Sequence, residues 1–277
     1  MSDCAAPRVH PTATVHPAAR LGPGCVVGPG AVIDGDVTLG PECEVGPHVH
    51  LTGHTVIGAR NRFHAGAVIG DAPQDFKYAG QPTRLRMGDG NVFREHVTVH
   101  RSNRPDEDTV LGDGNFLMAG SHVGHNCRIG SHNVLANGAL LGGHVTLGDR
   151  AFISGNCLVH QFCRVGRLAL MQGGAAISQD LPPFCLASGH NGLAGLNTVG
   201  LRRAGIAAAD RQLLRQVYHR LFRRPVRWPE ALADVERALA GHPLVQEILG
   251  FIHASRRGVL RSAAPASPAG EGPDPAD

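Results

Sequence analysis

Between Val9 and Ile177, large apolar residues recur with a period of six, and the series is interrupted twice. The series is unbroken from Val9 to Ile69, resumes from Met87 to Val99, and resumes again from Leu111 to Ile177. Glycine often follows the large residue, and a small residue usually stands four positions after it. A period of six fits neither an amphipathic helix nor a single alternating strand, but it fits a short strand plus a turn, repeated many times.

Internal repeats of this kind predict a solenoid. Three units of six residues, 18 in all, close one triangular coil, with the large residue filling its interior and the small residue in its corner. The pattern resembles the hexapeptide repeat of left-handed parallel β-helices, and this resemblance supplies the handedness, because parallel crossovers are usually right-handed. The predicted fold class is therefore mainly β, a left-handed parallel β-helix followed by a small α-helical domain.

The same pattern predicts the domain organisation. We expect the β-helix to occupy residues 1–189, and the period continues in phase across two insertions, which are therefore loops that project from an intact coil. Pro229 and Pro243 suit the first turns of helices. The predicted segments are loops at 75–86 and 105–110, a helical domain at 190–261 with helices at about 208–222, 229–240 and 243–254, and a disordered tail at 262–277.

Composition narrows the class of protein further. The chain has 277 residues and no run of 18 apolar ones, and its N-terminus lacks the pattern of a signal peptide, so we expect a cytoplasmic protein without a membrane span. The net charge is only +3, but the segment from His190 to Arg261 contains 12 arginines and only five acidic residues. Such a basic segment suits an acidic partner such as a carrier protein or a nucleic acid. Five of the seven cysteines occupy the small inward position, where we expect reduced, buried thiols without metal or disulfide roles.

Stacking of the coils predicts a polar cluster. Residues 18 apart lie on adjacent coils, about one strand spacing apart, so Gly143 stacks on His125 and His144 stacks on Asn126. His160 and Gln161 lie one coil further on. A histidine here can serve as a general base, and the N–H of Gly143 can stabilise an oxyanion if it points outward. These are the parts needed for acyl transfer from a thioester to an alcohol without a covalent enzyme intermediate.

A second stacked column contains only small residues. Ala119, Asn137, Gly155 and Gly173 follow one another at intervals of 18. Their short side chains predict either a groove parallel to the axis, long enough for an acyl chain, or a row of ordinary turn positions.

Five segments resemble one enzyme family, the acyl-[acyl carrier protein]–UDP-N-acetylglucosamine O-acyltransferases, which begin lipid A biosynthesis. The resemblance covers residues 9 to 261. The matching segments are Gln74-Asp75-Phe76-Lys77-Tyr78-Ala79-Gly80-Gln81-Pro82-Thr83-Arg84, Val97-Thr98-Val99-His100-Arg101, Ser121-His122-Val123-Gly124-His125-Asn126-Cys127, Val159-His160-Gln161-Phe162-Cys163 and Asn197-Thr198-Val199-Gly200-Leu201-Arg202-Arg203. Both insertions and the helical C-terminus match as well.

This resemblance implies a homotrimer with active sites between subunits, His125 as the general base and Gly143 as the oxyanion donor. It implies transfer of a 3-hydroxyacyl group from acyl carrier protein to the 3-hydroxyl of UDP-N-acetylglucosamine, with no cofactor beyond the carrier's 4'-phosphopantetheine, no metal and no nucleic acid. Gly173 matches the position that measures acyl length. The positions that match substrate-binding residues are Gln74, Asp75, Lys77, His122, His144, His160, Gln161, Asn197 and Arg203.

Three positions depart from the family pattern. The residue after the base is often Asp in that family, and an amide orients an imidazolium without the stabilising charge of a carboxylate, so Asn126 affects the rate or its pH dependence. Val199 and Ala204 stand at positions where some members of the family resembled have a Glu and a second Arg near the nucleotide.

These departures leave open a 3-amino sugar nucleotide as acceptor and a non-catalytic scaffold. A zinc-dependent hexapeptide protein remains a further alternative because of His100, His122, His125 and His144. A related N-acyltransferase with an extra N-terminal domain is disfavoured, since the repeat begins by Val9.

Overall fold

Three parallel sheets wind around one axis in the computed structural model, which describes residues 6–261. Within that range, 28 strands, most of them only two residues long, are distributed over sheets of 11, nine and eight strands. We call these sheets A, B and C. As far as Ile177, successive strands of the chain belong to successive sheets, so each circuit of the three sheets is one coil. The β-helix predicted from the six-residue period is present.

The strand bounds are as follows. Sheet A contains β1 (Arg8–Val9), β4 (Val26–Val27), β7 (Glu44–Val45), β10 (Arg62–Phe63), β13 (Val92–Phe93), β16 (Phe116–Leu117), β19 (Val134–Leu135), β22 (Phe152–Ile153), β25 (Leu170–Met171), β27 (Cys185–Ser188) and β28 (Gly192–Leu196). Sheet B contains β2 (Thr14–Val15), β5 (Val32–Ile33), β8 (His50–Leu51), β11 (Val68–Asp71), β14 (Thr98–His100), β17 (His122–Val123), β20 (Leu140–Leu141), β23 (Leu158–Val159) and β26 (Ala176–Ile177). Sheet C contains β3 (Arg20–Leu21), β6 (Val37–Leu39), β9 (His54–Ile57), β12 (Arg84–Met87), β15 (Asp108–Leu111), β18 (Arg128–Ile129), β21 (Thr146–Leu147) and β24 (Arg164–Val165).

The large residues of the repeat fill the interior of the coil. Leu135, Leu141 and Ile153 are fully buried, and the small corner residues Cys127 and Ala139 are buried beside them. Val9 is an exception, with 44% of its surface exposed, and the prediction that it points into a filled coil was wrong in this respect. Val9 lies in β1, which within residues 6–261 pairs with β4 alone.

The six-residue phase continues after both predicted loops, although the pairing of β11 with β14 shifts its register between Ile69 and Asp71, where the first loop leaves the coil. The bounds of both loops differ from the prediction. Strand β12 takes Arg84 to Met87, so the first insertion is residues 72–83 and not 75–86. Strand β15 takes Asp108 to Leu111, so the second insertion is residues 101–107 and not 105–110. The period cannot locate these bounds because β9, β12 and β15 pair over four residues, twice the usual strand length here.

The C-terminal segment packs its helices against the last coils. Helices α2 (Ala208–Phe222), α3 (Trp228–Leu239) and α4 (Pro243–His253) confirm the three predicted helices within a residue or two. Two elements were not predicted: strand β28, which pairs antiparallel with β27 inside the segment assigned to helices, and the short helix α1 (Thr198–Arg203). No helix within residues 6–261 is long and apolar enough to cross a membrane. The predicted disordered tail, 262–277, lies outside the described residues.

The predicted inward cysteines are buried. Cys25, Cys43, Cys127, Cys157 and Cys163 are free thiols in the interior of the coil. Burial raises the pKa of Cys43 to about 11 and that of Cys127 to about 12, so these thiols stay protonated at neutral pH. They therefore act as small apolar side chains.

Candidate active site

Most of the predicted site residues lie at one corner of the β-helix, between sheets B and C. Strands β11, β14 and β17 stack in sheet B, with Ile69, Val99 and Val123 in register. The chain leaves β11 into the loop 72–83 and leaves β14 into the loop 101–107, whereas after β17 it turns directly through His125. Both loops therefore lie on the coils that precede His125.

The two loops and the next coils enclose a cavity of about 500 Å³ at this corner. Six residues that the sequence nominated line it, namely Gln74, Asp75, Lys77, His125, His144 and Gln161. Four other lining residues were not predicted: Gln81, Asn103, Arg104 and Phe162. Three of these four lie on the loops, where the period of six gives no information about side-chain positions.

Asn126 fixes which nitrogen of His125 carries the proton. Its Nδ2 donates to Ser102 Oγ (2.7 Å) and to Glu107 Oε2 (2.8 Å), and its Oδ1 accepts from the backbone N–H of Asn103 (3.0 Å). His125 Nδ1 lies 2.9 Å from the same Oδ1 and must therefore donate to it. The hydrogen on Nδ1 leaves the lone pair on Nε2, which is the form that a general base needs.

The backbone of Asn126 is held as firmly as its side chain. Its φ is 58°, in the left-handed region that Asn tolerates better than most residues. Its N–H donates to Thr109 Oγ1 at 2.7 Å, and the residue is buried. The amide that orients His125 is therefore part of the rigid coil.

Gly143 stacks on His125 as predicted. A Cβ atom at Gly143 would lie 2.6 Å from both Cε1 and Nε2 of the imidazole, so only glycine leaves room for this ring. Across residues 6–261 the N–H of Gly143 donates to no protein acceptor. Prolines occupy the equivalent position of earlier repeats, for example Pro23 and Pro47, which shows that the coil needs no hydrogen bond there. This N–H is therefore free to bind an oxyanion.

His144 forms one wall of the cavity. Its ring meets the ring of His125 edge to face, with centroids 5.2 Å apart, and stacks on Phe162 at 4.7 Å. Burial lowers the pKa of His144, and positive charge on His125 lowers it further, while Glu107 opposes the shift. The two imidazoles are therefore electrostatically coupled, and a positive charge on His125 disfavours one on His144.

Asp75 lines the same cavity as His125 and is held there by the two loops. Its carboxylate accepts from the backbone N–H of Lys77 (3.0 Å) and from Asn103 Nδ2 (2.6 Å). These two hydrogen bonds lower the pKa of Asp75, so it is ionised at neutral pH. The cavity thus contains a fixed negative charge beside the ammonium-bearing Lys77.

An arginine that the sequence did not nominate supports the first loop. Arg101 donates to the carbonyl of Gly70 (2.8 Å) and to the hydroxyl of Tyr78 (3.1 Å). Tyr78 in turn donates to the carbonyl of Gln81 (2.8 Å), and Gln81 Nε2 donates to the carbonyl of Asn103 (2.9 Å). The loops therefore brace each other around the cavity.

Two predicted residues line a different cavity. His122 and His160 face an apolar hollow of about 360 Å³ on sheet B, together with Leu140, Leu158 and His190. Burial lowers the pKa of His122 to about 4, and its Nδ1 lies 2.7 Å from Thr98 Oγ1. Within one chain, His122 is therefore a neutral side chain on the neighbouring face and does not line the cavity of His125.

Asn197 and Arg203 line a third cavity, of about 530 Å³, between sheet A and α1. The Asn197 side chain is already engaged: Oδ1 accepts from the N–H of Gly200 (2.9 Å) and Nδ2 donates to the carbonyl of Leu168 (2.9 Å). It caps α1, while Arg203 at the end of that helix is exposed. Within one chain, these two residues line a cavity separate from the one that contains His125.

Gly173 lies exposed on its predicted column. A Cβ atom there would meet only the carbonyl oxygen of Gly155, at 3.7 Å, which is ordinary contact. The position thus has room for a side chain, and glycine leaves that room open.

The positions of His125 and Gly143 at this corner indicate which reaction it can support. The imidazole of His125, whose Nδ1 is engaged by Asn126, lies against a glycine whose N–H has no partner within residues 6–261. These two groups suit proton removal from a hydroxyl and stabilisation of an acyl oxyanion. Within residues 6–261 no group of three or more His, Cys, Asp or Glu side chains is placed to hold a metal ion.

Comparison with known proteins agrees with this chemistry. A family profile described as Udp N-acetylglucosamine O-acyltransferase, Domain 2, matches residues 180–260, and a profile of bacterial transferase hexapeptides (six repeats) matches residues 108–143. The acyl-[acyl-carrier-protein]–UDP-N-acetylglucosamine O-acyltransferase of Halorhodospira halophila is 46% identical over 211 residues, 76% of this chain and 82% of the relative. The enzyme of the same name from an Anaeromyxobacter strain is 43% identical over 213 residues, 76% of this chain and 83% of the relative.

Solved structures are similar over nearly the whole chain. The UDP-N-acetylglucosamine acyltransferase of Francisella novicida has a TM-score of 0.88 at 35% identity, covering 92% of this chain and 94% of that one. The UDP-N-acetylglucosamine acyltransferase of Bacteroides fragilis has a TM-score of 0.88 at 35% identity, covering 91% and 100%.

Fold and site together define a hexapeptide-repeat acyltransferase built on a left-handed parallel β-helix. Both the fold class and the handedness expected from the repeat are confirmed. Within that class, the chain belongs to the acyl-[acyl-carrier-protein]–UDP-N-acetylglucosamine O-acyltransferase family.

Proposed function

We propose that this enzyme transfers an (R)-3-hydroxyacyl group from acyl carrier protein to the 3-hydroxyl of UDP-N-acetylglucosamine, the first step of lipid A biosynthesis. The observation that carries the proposal is His125, with its Nδ1 hydrogen committed to Asn126 and its Nε2 lone pair beside Gly143. The names of the relatives supply the two substrates.

His125 moves one proton through the reaction. Its Nε2 takes the proton of the sugar hydroxyl while that oxygen attacks the thioester carbonyl and the new C–O bond forms. The N–H of Gly143 donates to the oxyanion of the tetrahedral intermediate. When the C–S bond breaks, the imidazolium returns the proton to the sulfur, and the carrier leaves as a thiol.

The acyl donor brings the only prosthetic group that this mechanism needs, the 4'-phosphopantetheine of the carrier protein. Asp75 and Lys77 line the cavity around His125, and in this proposal they orient the sugar or the pantetheine arm. The arginine-rich segment from His190 to Arg261 suits an acidic carrier protein. The proposal places the reaction in the cytoplasm.

The proposal includes a homotrimer. On one chain the site residues are divided among three cavities, those of His125, of His122 with His160, and of Asn197 with Arg203. A cleft between two subunits can join surfaces that a single chain keeps apart. Sedimentation equilibrium tests this part, and a monomer at micromolar concentration contradicts it.

A thioester-consumption assay tests the reaction. The purified enzyme is mixed with hydroxyacyl carrier proteins of several chain lengths and with UDP-N-acetylglucosamine, and the product is identified by mass spectrometry. We expect release of free carrier thiol and an ester product. Absence of turnover with every chain length contradicts the proposal and favours a binding scaffold.

A 3-amino sugar nucleotide is the second candidate acceptor, because Val199 and Ala204 line the cavity of Asn197 and Arg203 without the charged side chains that some family members are expected to have there. The same assay with the amino analogue separates the two acceptors. An ester product is cleaved by hydroxylamine, whereas an amide product resists it.

A further inference from the structure

We propose that Glu107 is a positioning residue for His125 and acts on it through the side-chain amide of Asn126. In this relay, Glu107 supplies the negative charge that an amide at position 126 lacks. The inference rests on the proposed function, since it concerns the base of the same reaction. Glu107 lies in the loop 101–107, outside the six-residue repeat.

Glu107 helps to decide the orientation of the Asn126 amide. A carboxylate only accepts hydrogen bonds, so the Asn126 atom 2.8 Å from Glu107 Oε2 must be the NH₂ group. The backbone N–H of Asn103 only donates, so the atom that it contacts must be the oxygen. The two contacts agree, and they leave Oδ1 to accept from His125 Nδ1.

The charge of Glu107 lies close to the imidazoles of this corner. Its Oε2 is 3.9 Å from Nδ1 of His144, and it donates no proton to the network while ionised. A carboxylate joined to His125 by one intervening amide favours the imidazolium that forms when the base accepts a proton. Hydrogen bonds in such a chain also polarise one another.

Several other charged or titratable groups act on the same imidazoles and must be held constant in any test. Asp75 and Lys77 face the cavity from the first loop, and Arg104 faces it from the second. His100, His122 and His144 come from the neighbouring strands and coils and interact electrostatically with His125. Substitution at Glu107 changes none of these six residues, but it also removes the carboxylate charge that opposes the lowered pKa of His144.

The donor and the acceptor of the hydrogen bond between Asn126 and Glu107 can be exchanged by substitution. In Glu107→Gln the glutamine carbonyl still accepts from Asn126, so the geometry is kept and the charge is removed. In the double variant Glu107→Gln with Asn126→Asp, the glutamine NH₂ donates to the aspartate, which still accepts from Asn103 and His125. Ser102 Oγ, which in the wild type accepts from Asn126 and donates to the carbonyl of Arg104, must turn its hydrogen to the aspartate. The charge returns at position 126.

The experiment is the pH dependence of kcat/KM for the full chain in its native assembly. For Glu107→Gln we expect the acidic limb to shift down by about half to one unit, as loss of a nearby charge requires, and the plateau to fall about tenfold. The double variant should recover to within about threefold of wild type. Asp106→Asn is the matched control, because it removes an exposed charge from the same loop without touching Asn126, and we expect the wild-type profile.

Two outcomes overturn the proposal. One is a Glu107→Gln enzyme whose pH profile and plateau equal those of wild type. The other is a loss of activity that Asn126→Asp does not rescue, since a merely structural Glu107 gives that result.

NMR titration of ¹⁵N-labelled histidines separates this proposal from the proposed function. If the wild-type enzyme turns over none of the proposed substrates, the function fails, but the pKa of His125 in the two enzymes still reports on Glu107. A lower pKa in Glu107→Gln, restored in the double variant, supports the relay, and an unchanged pKa refutes it.

Discussion

Gly143 leaves open the space that the imidazole of His125 fills from the adjacent coil. A Cβ atom at position 143 would lie 2.6 Å from Nε2 and Cε1, far inside contact distance. The φ of Gly143 is outside the left-handed region, so the requirement for glycine comes from the ring and not from the backbone.

Gly143→Ala should therefore disable the site without unfolding the coil. The methyl group must displace His125, and a shift of about 1 Å in a catalytic group can cost about a hundredfold in rate. Steady-state kinetics and a thermal melt check this. Gly195→Ala is the control, because a Cβ atom there meets nothing within 4 Å. Equal activity of the two variants would refute the role of this contact.

His125→Ala should reduce kcat by about 10² to 10⁴, the usual contribution of a general base. The melting temperature and the assembly should remain those of wild type, since the imidazole lines a cavity and is not part of the packed interior. His48→Ala removes an exposed histidine from a corner of an early coil and serves as control. Turnover near the wild-type rate would remove His125 as the base.

Gly173→Met tests the small-residue column as an acyl groove. The larger side chain has room, because a Cβ atom meets only Gly155 O at 3.7 Å, so stability should change little. At about 0.8 kcal/mol per buried methylene, an acyl chain that loses two methylenes of contact reacts about tenfold more slowly. Competition between carrier proteins of different acyl length should show a shift to shorter chains. An unchanged preference would show that the acyl chain lies elsewhere.

Lys77→Ala should impair turnover and leave stability nearly unchanged. Within residues 6–261 the ammonium of Lys77 donates no hydrogen bond, and the loop lies outside the packed interior. Loss of one charged hydrogen bond to a substrate costs about 1.5–3 kcal/mol, or about 10- to 100-fold in kcat/KM. Steady-state kinetics and thermal melts of Lys77→Ala show whether Lys77 contributes to turnover or to stability. A large fall in melting temperature would mark Lys77 as structural.

His122 should make stability depend on pH in the acid range. Burial lowers its pKa to about 4, below the ordinary value of 6.5, so between these values the unfolded chain binds more protons than the folded one. The free energy of unfolding contributed by His122 therefore falls as the pH is lowered from about 6.5 to about 4. His100, whose pKa is also lowered by burial, acts in the same direction.

Urea unfolding of wild type and of His122→Gln at several pH values isolates this contribution, since glutamine does not titrate. The difference in stability between the two proteins should favour wild type more at pH 7 than at pH 4.5. A difference that is constant with pH would contradict the lowered pKa.

The six-residue period by itself determined the coil, the inward residues and the stacking of Gly143 on His125. It could do so because each repeat is one strand and one corner, so that sequence offsets convert directly into neighbours. The family and both substrates followed from local segments such as the one around His125. The three main helices followed from apolar spacing and from Pro229 and Pro243.

Only the tertiary structure decided how the loops complete the site. The contact of Glu107 with Asn126 joins residues 19 apart through an irregular loop whose backbone no period describes. Likewise, His160 and Gln161 are adjacent in sequence but line different cavities, because the chain turns a corner between two sheets at this point. Periodic sequence specifies which coil a residue occupies, whereas side-chain direction at a corner and hydrogen bonding in a loop depend on the folded backbone.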